Sequence, residues 1–394
     1  MKTTSTTVLL GMLLFMGQAL AAERNHPENP FTSTSRSPAS ATTSDLPETG
    51  ISGVYEVMVG ADDAGPLLEY FGEFGFSIKN EAVLDAAAAQ DLYGVNSALR
   101  SIRLQNGAVD SHGLLRILEW EQPLGPGVGY APPETVGQRM SVMRTRDIIR
   151  LYDTFSDLRH KAEQPWFPVE PIFDDIYGLG ADNVSITQRR VGVRENAVYG
   201  RFFNHVFFQR YGYTIPGYGT INPAAPLQTS EFTHHDFIVA GDLAVVTAYY
   251  ESVLGLRAET EPVVSGDWHK GPARVFLMEP GESHWYRGFV SPNNICGKLK
   301  FFAARDPAHE RDRRHHQRLG ELGITLHSLY TPVPEYVHKL ATEHGLQPPP
   351  IMHNEFSERS FLFTGPDGVT WQILEQPIVM EPPTTEFELV RVNN

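Results

Sequence analysis

One frame, met twice, constrains the fold of this chain more than any other feature. Residues 234–256 read HHDFIVAGDLAVVTAYYESVLGL: a histidine heads a short apolar strand, Asp242 follows His235 by seven residues, a helix carries Tyr249-Tyr250, and Leu-Gly ends it. Upstream, Asp62 stands thirteen residues before Gly75, as Asp242 does before Gly255, and the intervening helix carries Tyr70-Phe71. An echo at matched spacing, about 180 residues apart, points to a duplicated architecture, because a repeat in sequence is a repeat in structure.

Four segments share a strand–helix–strand shape. The first (53–122) opens with VYEVMV, continues with the helix GPLLEYFGEF and closes with LLRILEW. The second (138–213) has SVMRT, the helix DIIRLYDTFSDL, and strands at NVSITQRRV and NHVFFQRY. The third (232–305) has FIV, the helix AVVTAYYESVL, and strands ARVFLME and KLKFFAA; the fourth (323–376) has ITLHSLY, the helix PEYVHKLATEHG, SFLFT and VTWQILE. Period-two alternation marks the strands, and spaced apolar residues with a glycine stop mark the helices. Residues 211–229 are rich in Gly and Pro and read as a link between halves; DPAHERDRRHHQ, including His315-His316, reads as a solvated connector.

The N-terminus reads as an export signal. Lys2, the apolar run Val8–Met16 and the small residues Ala19-Leu20-Ala21 predict a signal peptide over 1–21, hence a periplasmic or secreted protein without a membrane anchor after cleavage. Residues 22–49 read as a flexible linker and 381–394 as a tail. A net charge of −15 argues against nucleic acid as a partner. The single cysteine, Cys296, permits no intrachain disulfide and reads as a buried thiol. No GxSxG elbow, Walker loop or HExxH occurs.

Four consecutive βαβββ-like units resemble the vicinal oxygen chelate superfamily of glyoxalases, bleomycin-resistance proteins and extradiol dioxygenases. HDFIVAGDLAVVTAYYESVLGL carries the resemblance best, followed by the closing GPDGVTWQILEQ. It implies an α+β fold of four tandem βαβββ modules paired into two cupped mixed-sheet domains: 50–215, with a degenerate site, and 228–380, with the candidate site. It also implies a divalent metal (Fe, Zn, Ni or Mn) held from the first and last strands. The matching positions are His235 and His327, with Gln372 or Glu375 completing the set, and Phe302, Phe363 and Trp371 lining the cup. In the N-terminal half they fall on Tyr55, Glu119, Met140 and Gln209, which cannot make a tight site. His353 and Glu355, on a loop expected near the cup mouth, are candidates for general acid–base work. Tyr249-Tyr250 read as core aromatics, and His234 as exposed beside His235.

Two functions remain open at this level. One is a metal-dependent lyase, isomerase or dioxygenase acting on a small oxygenated substrate. The other is a metal-free protein that binds or sequesters a small molecule, as monomer or homodimer.

Overall fold

The computed structural model describes residues 46–161, 165–175, 191–215, 217–292, 294–306 and 311–376. The expected signal peptide, residues 22–45 of the linker, the tail at 381–394 and all but Val191 of the expected strand NVSITQRRV lie outside these.

The first module comprises β1 (Val54–Ala61), α1 (Gly65–Glu73), β2 (Phe76–Leu84), α2 (Ala86–Tyr93), β3 (Leu99–Asn106) and β4 (Leu114–Trp120). After the short β5 (Thr135–Val136), the second has β6 (Arg139–Thr145), α3 (Ile148–Lys161), β7 (Phe167–Pro168), β8 (Ile172–Asp175), β9 (Gly192–Tyr199) and β10 (Asn204–Tyr211). The third has β11 (Thr229–Ile238), α4 (Leu243–Val246), α5 (Tyr249–Ser252), β12 (Arg257–Ala258), β13 (Val263–Gly266), α6 (Lys270–Val275), β14 (Ser283–Ser291) and β15 (Asn294–Ala304). β16 (Arg311–Asp312) leads to the fourth: β17 (Gly323–Thr331), α7 (Pro334–Glu343), β18 (Met352–His353), β19 (Arg359–Thr364) and β20 (Thr370–Glu375).

Local chemistry accounts for most of these elements. Proline starts α1 and α7, where its missing N–H is no loss. Asp85 caps α2 by accepting the Ala88 N–H, and Gly94 ends it in the left-handed conformation. Two expectations in the third module are corrected. The helix over 244–254 is broken into α4 and α5 at Thr247, whose hydroxyl bonds back to the Leu243 carbonyl. ARVFLME is not a strand: α6 and the turn after it bury Val275 and Phe276 against Phe302 and Tyr286, so tertiary burial overrides the alternation.

The modules form two mixed sheets. One runs β18-β19-β20-β17-β1-β4-β3-β2; the other runs β12-β14-β15-β11-β6-β10-β9-β7, with β13 beside β14 and β8 beside β9. In every module the first strand lies parallel to the last, as β1 to β4 and β17 to β20. Modules join antiparallel through their first strands, β1 with β17 and β6 with β11. The first module therefore shares a sheet with the fourth, and the second with the third. This corrects the expected pairing of chain neighbours within 50–215 and 228–380. Chain neighbours share a core instead. The helix sides of modules one and two bury Val57, Phe71, Phe74, Ile117, Phe155 and Phe207 together, and those of three and four bury Phe237, Tyr250, Leu299, Val337, Phe361 and Trp371. The two sheets thus stand with helix-covered faces toward each other and cupped faces outward.

Where β1 meets β15 the backbones nearly touch. A Cβ on Gly53 would lie 2.0 Å from the Cys296 carbonyl oxygen, and one on Gly297 (φ 70°) would lie 2.2 Å from the Val54 nitrogen.

Candidate functional site

Strand register decides which side chains enter a cup, since successive residues point to opposite faces. In the first sheet Val57 pairs with His327, and Val57 belongs to the helix-side core. His327 therefore faces the other sheet, not the cup. There it meets His235: the ring centroids are 5.1 Å apart, with Phe237 at 4.8 Å and Trp371 at 5.7 Å from His327. The structure does bring His235 and His327 together. Both are fully buried, and burial depresses His235 to about 3 and His327 well below its usual range. His235 Nδ1 pairs with the Ser141 hydroxyl at 3.0 Å.

The expected metal set is corrected at its other members. Gln372 pairs with Ser328, one step out of phase with the His327–Trp371 pair, so it faces the cup and donates to Ser360 Oγ at 3.2 Å. Glu375 ends β20 and is ion-paired to Arg359 at 2.8 Å. His235, His327, Gln372 and Glu375 thus lie on different faces and cannot share one ion. Of the aromatics expected around them, only Phe302 enters a cup; Phe363 and Trp371 are in the helix-side core.

The first cup, of modules one and four, is filled by its own charges. Glu56 takes the guanidinium groups of both Arg103 and Arg116. Burial alone would raise its pKa, yet the two arginines bring it down to about 2. Glu355 accepts from Tyr93 Oη (2.6 Å), Ser101 Oγ (2.5 Å) and Arg116 (2.9 Å), and Glu358 from Arg103 (2.8 Å). Phe356 lies under both arginines. Glu355, a candidate acid or base, is thereby held as an acceptor in an ion-pair network. The other candidate, His353, is exposed on β18. Glu119 caps the entry of α1, accepting the Ala64 N–H at 2.9 Å and pairing with Arg100.

The second cup, of modules two and three, is different. A bulge between Phe232 and His234 turns His234 and Asp236 into it, with Val142 and Met140 as their partners on β6. His234 is buried, not exposed as its neighbour's spacing implied. Lys300 Nζ lies 3.1 Å from its Nε2, and an ammonium can only donate, so Nε2 accepts and Nδ1 carries the proton toward Tyr218 Oη (2.7 Å) and Thr233 Oγ1 (3.0 Å). Burial, then Lys300, keeps this imidazole neutral. Asp236 has one carboxyl oxygen with no hydrogen-bond partner. Burial pushes it up to about 6 while Lys300 pulls it back. Glu195 retains some exposure, yet its surroundings push it up to about 8, through burial first and then Asp174, with Lys300 opposing. Tyr199, Tyr286, Phe276 and Phe302 line the same cup. His269 and His284 border it, each with an Nε2 lacking a partner; burial lowers His269 to about 4. Carboxyls with raised pKa beside a lysine mark this cup as a candidate functional site. The spacing from the helix pointed to His235 and so missed His234 and Asp236 by one residue, because the bulge is not visible in the sequence.

Three metal donors meet where the loop before β4 reaches β11 and β15. His112, on the loop before β4, Glu231 of β11 and Cys296 of β15 have ligand atoms all within 4.8 Å of one another. This set could coordinate a divalent metal, and its mixed N, O and S donors suit zinc. Glu231 also accepts the N–H groups of Gly219 and Thr220, and Cys296 donates to the Gly217 carbonyl at 2.7 Å. Burial, then Glu231, raises the thiol well above its usual pKa, so a metal binding here would release its proton. No spacing motif links these residues, and only the fold brings them together.

No protein-family model matches the sequence, and no curated protein matches it. Among solved structures, a "putative dioxygenase" from Bacillus subtilis superposes with a TM-score of 0.51 at 11% identity, covering 82% of this chain and 85% of that one. Glyoxalase I from Zea mays gives 0.46 at 11% identity over 82% and 93%, and a glyoxalase family protein from Bacillus cereus gives 0.28 at 13% over 41% and 95%. With four βαβββ modules, first strands joined antiparallel and two cupped sheets, the chain has the vicinal oxygen chelate fold that its motifs resemble.

Proposed function

We propose that this chain binds a small oxygenated molecule in the second cup and exchanges a proton with it through Asp236. One observation carries this reading: the second cup holds hydrogen-bonding atoms without partners, chiefly one oxygen of the Asp236 carboxyl, whereas the carboxylates of the first cup are matched by arginines. An unmatched buried group is costly unless a ligand completes it. Lys300 supplies positive charge for a carbonyl or enolate oxygen. Asp236, with a pKa near 6, can take a proton from a carbon or hydroxyl beside it and return it, as general acid–base catalysis requires. Glu195, higher at about 8, is protonated at neutral pH and can donate. The first cup is the structural counterpart, closed by Glu355 and Glu358. A divalent metal at His112, Glu231 and Cys296 would brace the loop before β4 against β11 and β15.

The test is a panel of small 2-oxo acids, hydroxyketones and catechols, followed by ¹⁵N-detected shifts on wild type and Asp236→Asn. A binder should perturb amides around Asp236 and Lys300, and Asp236→Asn should weaken it about tenfold, the size of one charge-assisted hydrogen bond. Shifts confined to Glu56 and Arg116, or affinity indifferent to Asp236→Asn, overturn the assignment. Elemental analysis with a Cys296→Ser variant separates the bracing metal from a catalytic one: loss of metal without loss of binding is expected.

A further inference from the structure

At the centre of the first cup the strands supply two cations and one anion. Arg103 of β3 and Arg116 of β4 share Glu56 of β1, and all three side chains are at most 3% exposed. Glu81 and Glu119 are taken by Arg100 at the rim. Tyr55 and Tyr93 stay protonated, because burial raises both. Two guanidinium groups against one carboxylate leave one positive charge, and a buried cation requires a counter-charge.

The fourth module supplies it from the loop Asn354–Glu358, which joins β18 to β19 at the edge of the sheet. The side chain of Glu355 is fully buried, and three donors hold its carboxylate: Tyr93 Oη, Ser101 Oγ and Arg116 Nη1. The adjoining Phe356 ring has its centroid 4.3 Å from the Arg103 guanidinium carbon and 5.1 Å from that of Arg116. Carboxylate and ring together have the chemistry of an aromatic acid.

The loop is an imperfect occupant. Arg116 Nε has no partner among the described residues. Glu358, on Arg103, is a third carboxylate against the two arginines and turns the balance to one negative charge. Ser357 is held at φ 63°, a strained conformation for a residue with a side chain. The loop is tied back by a strand of only two residues and by Asn354, whose Oδ1 accepts the Phe356 and Glu358 N–H groups. A free aromatic monocarboxylate in the places of Glu355 and Phe356 would leave the two arginines and Glu56 neutral and let the loop relax.

We propose that the first cup is a second binding site, for a small aromatic monocarboxylate, and that Glu355 and Phe356 occupy it as an internal surrogate which the ligand displaces. The site does not depend on Asp236 or the second cup. Because the surrogate is tethered, it competes at high effective concentration, and the apparent affinity of the ligand falls with the fraction of open loop.

The experiment titrates the full chain with 3-phenylpropionate by calorimetry and follows amide hydrogen exchange across residues 354–358. Weak, saturable binding to wild type is expected, with faster exchange in the loop as it is displaced. Asn354→Ala loosens the loop without touching the cup and should tighten binding about fivefold to tenfold. Arg116→Gln should abolish binding. Because that variant could fail to fold, Tyr93→Phe with Ser101→Ala removes two donors and keeps the charge; it should weaken binding about tenfold. Acetate, which lacks the ring, should bind more weakly than 3-phenylpropionate. No binding, loop exchange unchanged or slowed at saturation, or affinity indifferent to Asn354→Ala overturns the proposal. So does binding that is lost in Asp236→Asn, which would place the acid in the second cup.

Discussion

Asp236 and Glu56 are two buried carboxyls driven in opposite directions, and the pH dependence of stability should separate them. Asp236 moves up to about 6, so between its unfolded value near 4 and pH 6 the folded chain keeps a proton that the unfolded chain has released. Stability falls as pH rises through that window and stays lower above it. Asp236→Asn removes the effect. Denaturant unfolding should find this variant equal to wild type near pH 4 and more stable above pH 6, by up to about 3 kcal/mol. An equal loss at both pH values would show Asp236 to be a stabilising hydrogen-bond partner instead. Glu56 moves down to about 2, so its contribution is present above its unfolded value and fades as pH falls toward 2. Glu56→Gln leaves Arg103 and Arg116 facing each other without that carboxylate. It should cost roughly 3–5 kcal/mol at neutral pH and shrink the acid-dependent part of the unfolding curve.

At the scale of elements, one close backbone contact between the sheets is the crossing of β1 and β15. Gly53 and Gly297 are required there because the opposing backbone occupies the place of a side chain. Gly53→Ala and Gly297→Ala should each destabilise by about 1–3 kcal/mol through overpacking, with positive φ adding strain at Gly297. Gly72→Ala in α1, where a Cβ meets nothing within 4 Å, should be neutral or stabilising in the same melts. The strands VYEVMV, NHVFFQRY, ITLHSLY and VTWQILE were legible in the sequence because each is an apolar run bounded by turn residues. α6 was not, since its burial depends on Phe302 and Tyr286, which come from other strands.

At the scale of the whole molecule, chain neighbours share helix-side cores while sheets join modules one to four and two to three. A cut near residue 216 therefore leaves each half with a core but with two first strands unpaired: β1 and β6 in one, β11 and β17 in the other. Exposed long edges invite pairing with another chain. Residues 46–215 expressed alone should self-associate or remain unfolded, and mixing with residues 217–376 should restore a one-to-one complex by sedimentation and circular dichroism. A monomeric half that unfolds cooperatively would contradict the sheet order. Among the described residues no helix is long and apolar enough to cross a membrane.

The four modules and most of their strands follow from local pattern alone, since turn residues, helix caps and alternation act within about ten residues of chain. So does the choice of the β11 region for the candidate site. The tertiary structure decided which residue of that strand enters a cup. One bulge shifts the register by one, and because side chains alternate, that single step exchanges His235 and its partner His327 for His234, Asp236 and Lys300. It also decided which modules pair, because the first strand of each module finds its partner across the molecule, at separations where sequence pattern carries no signal.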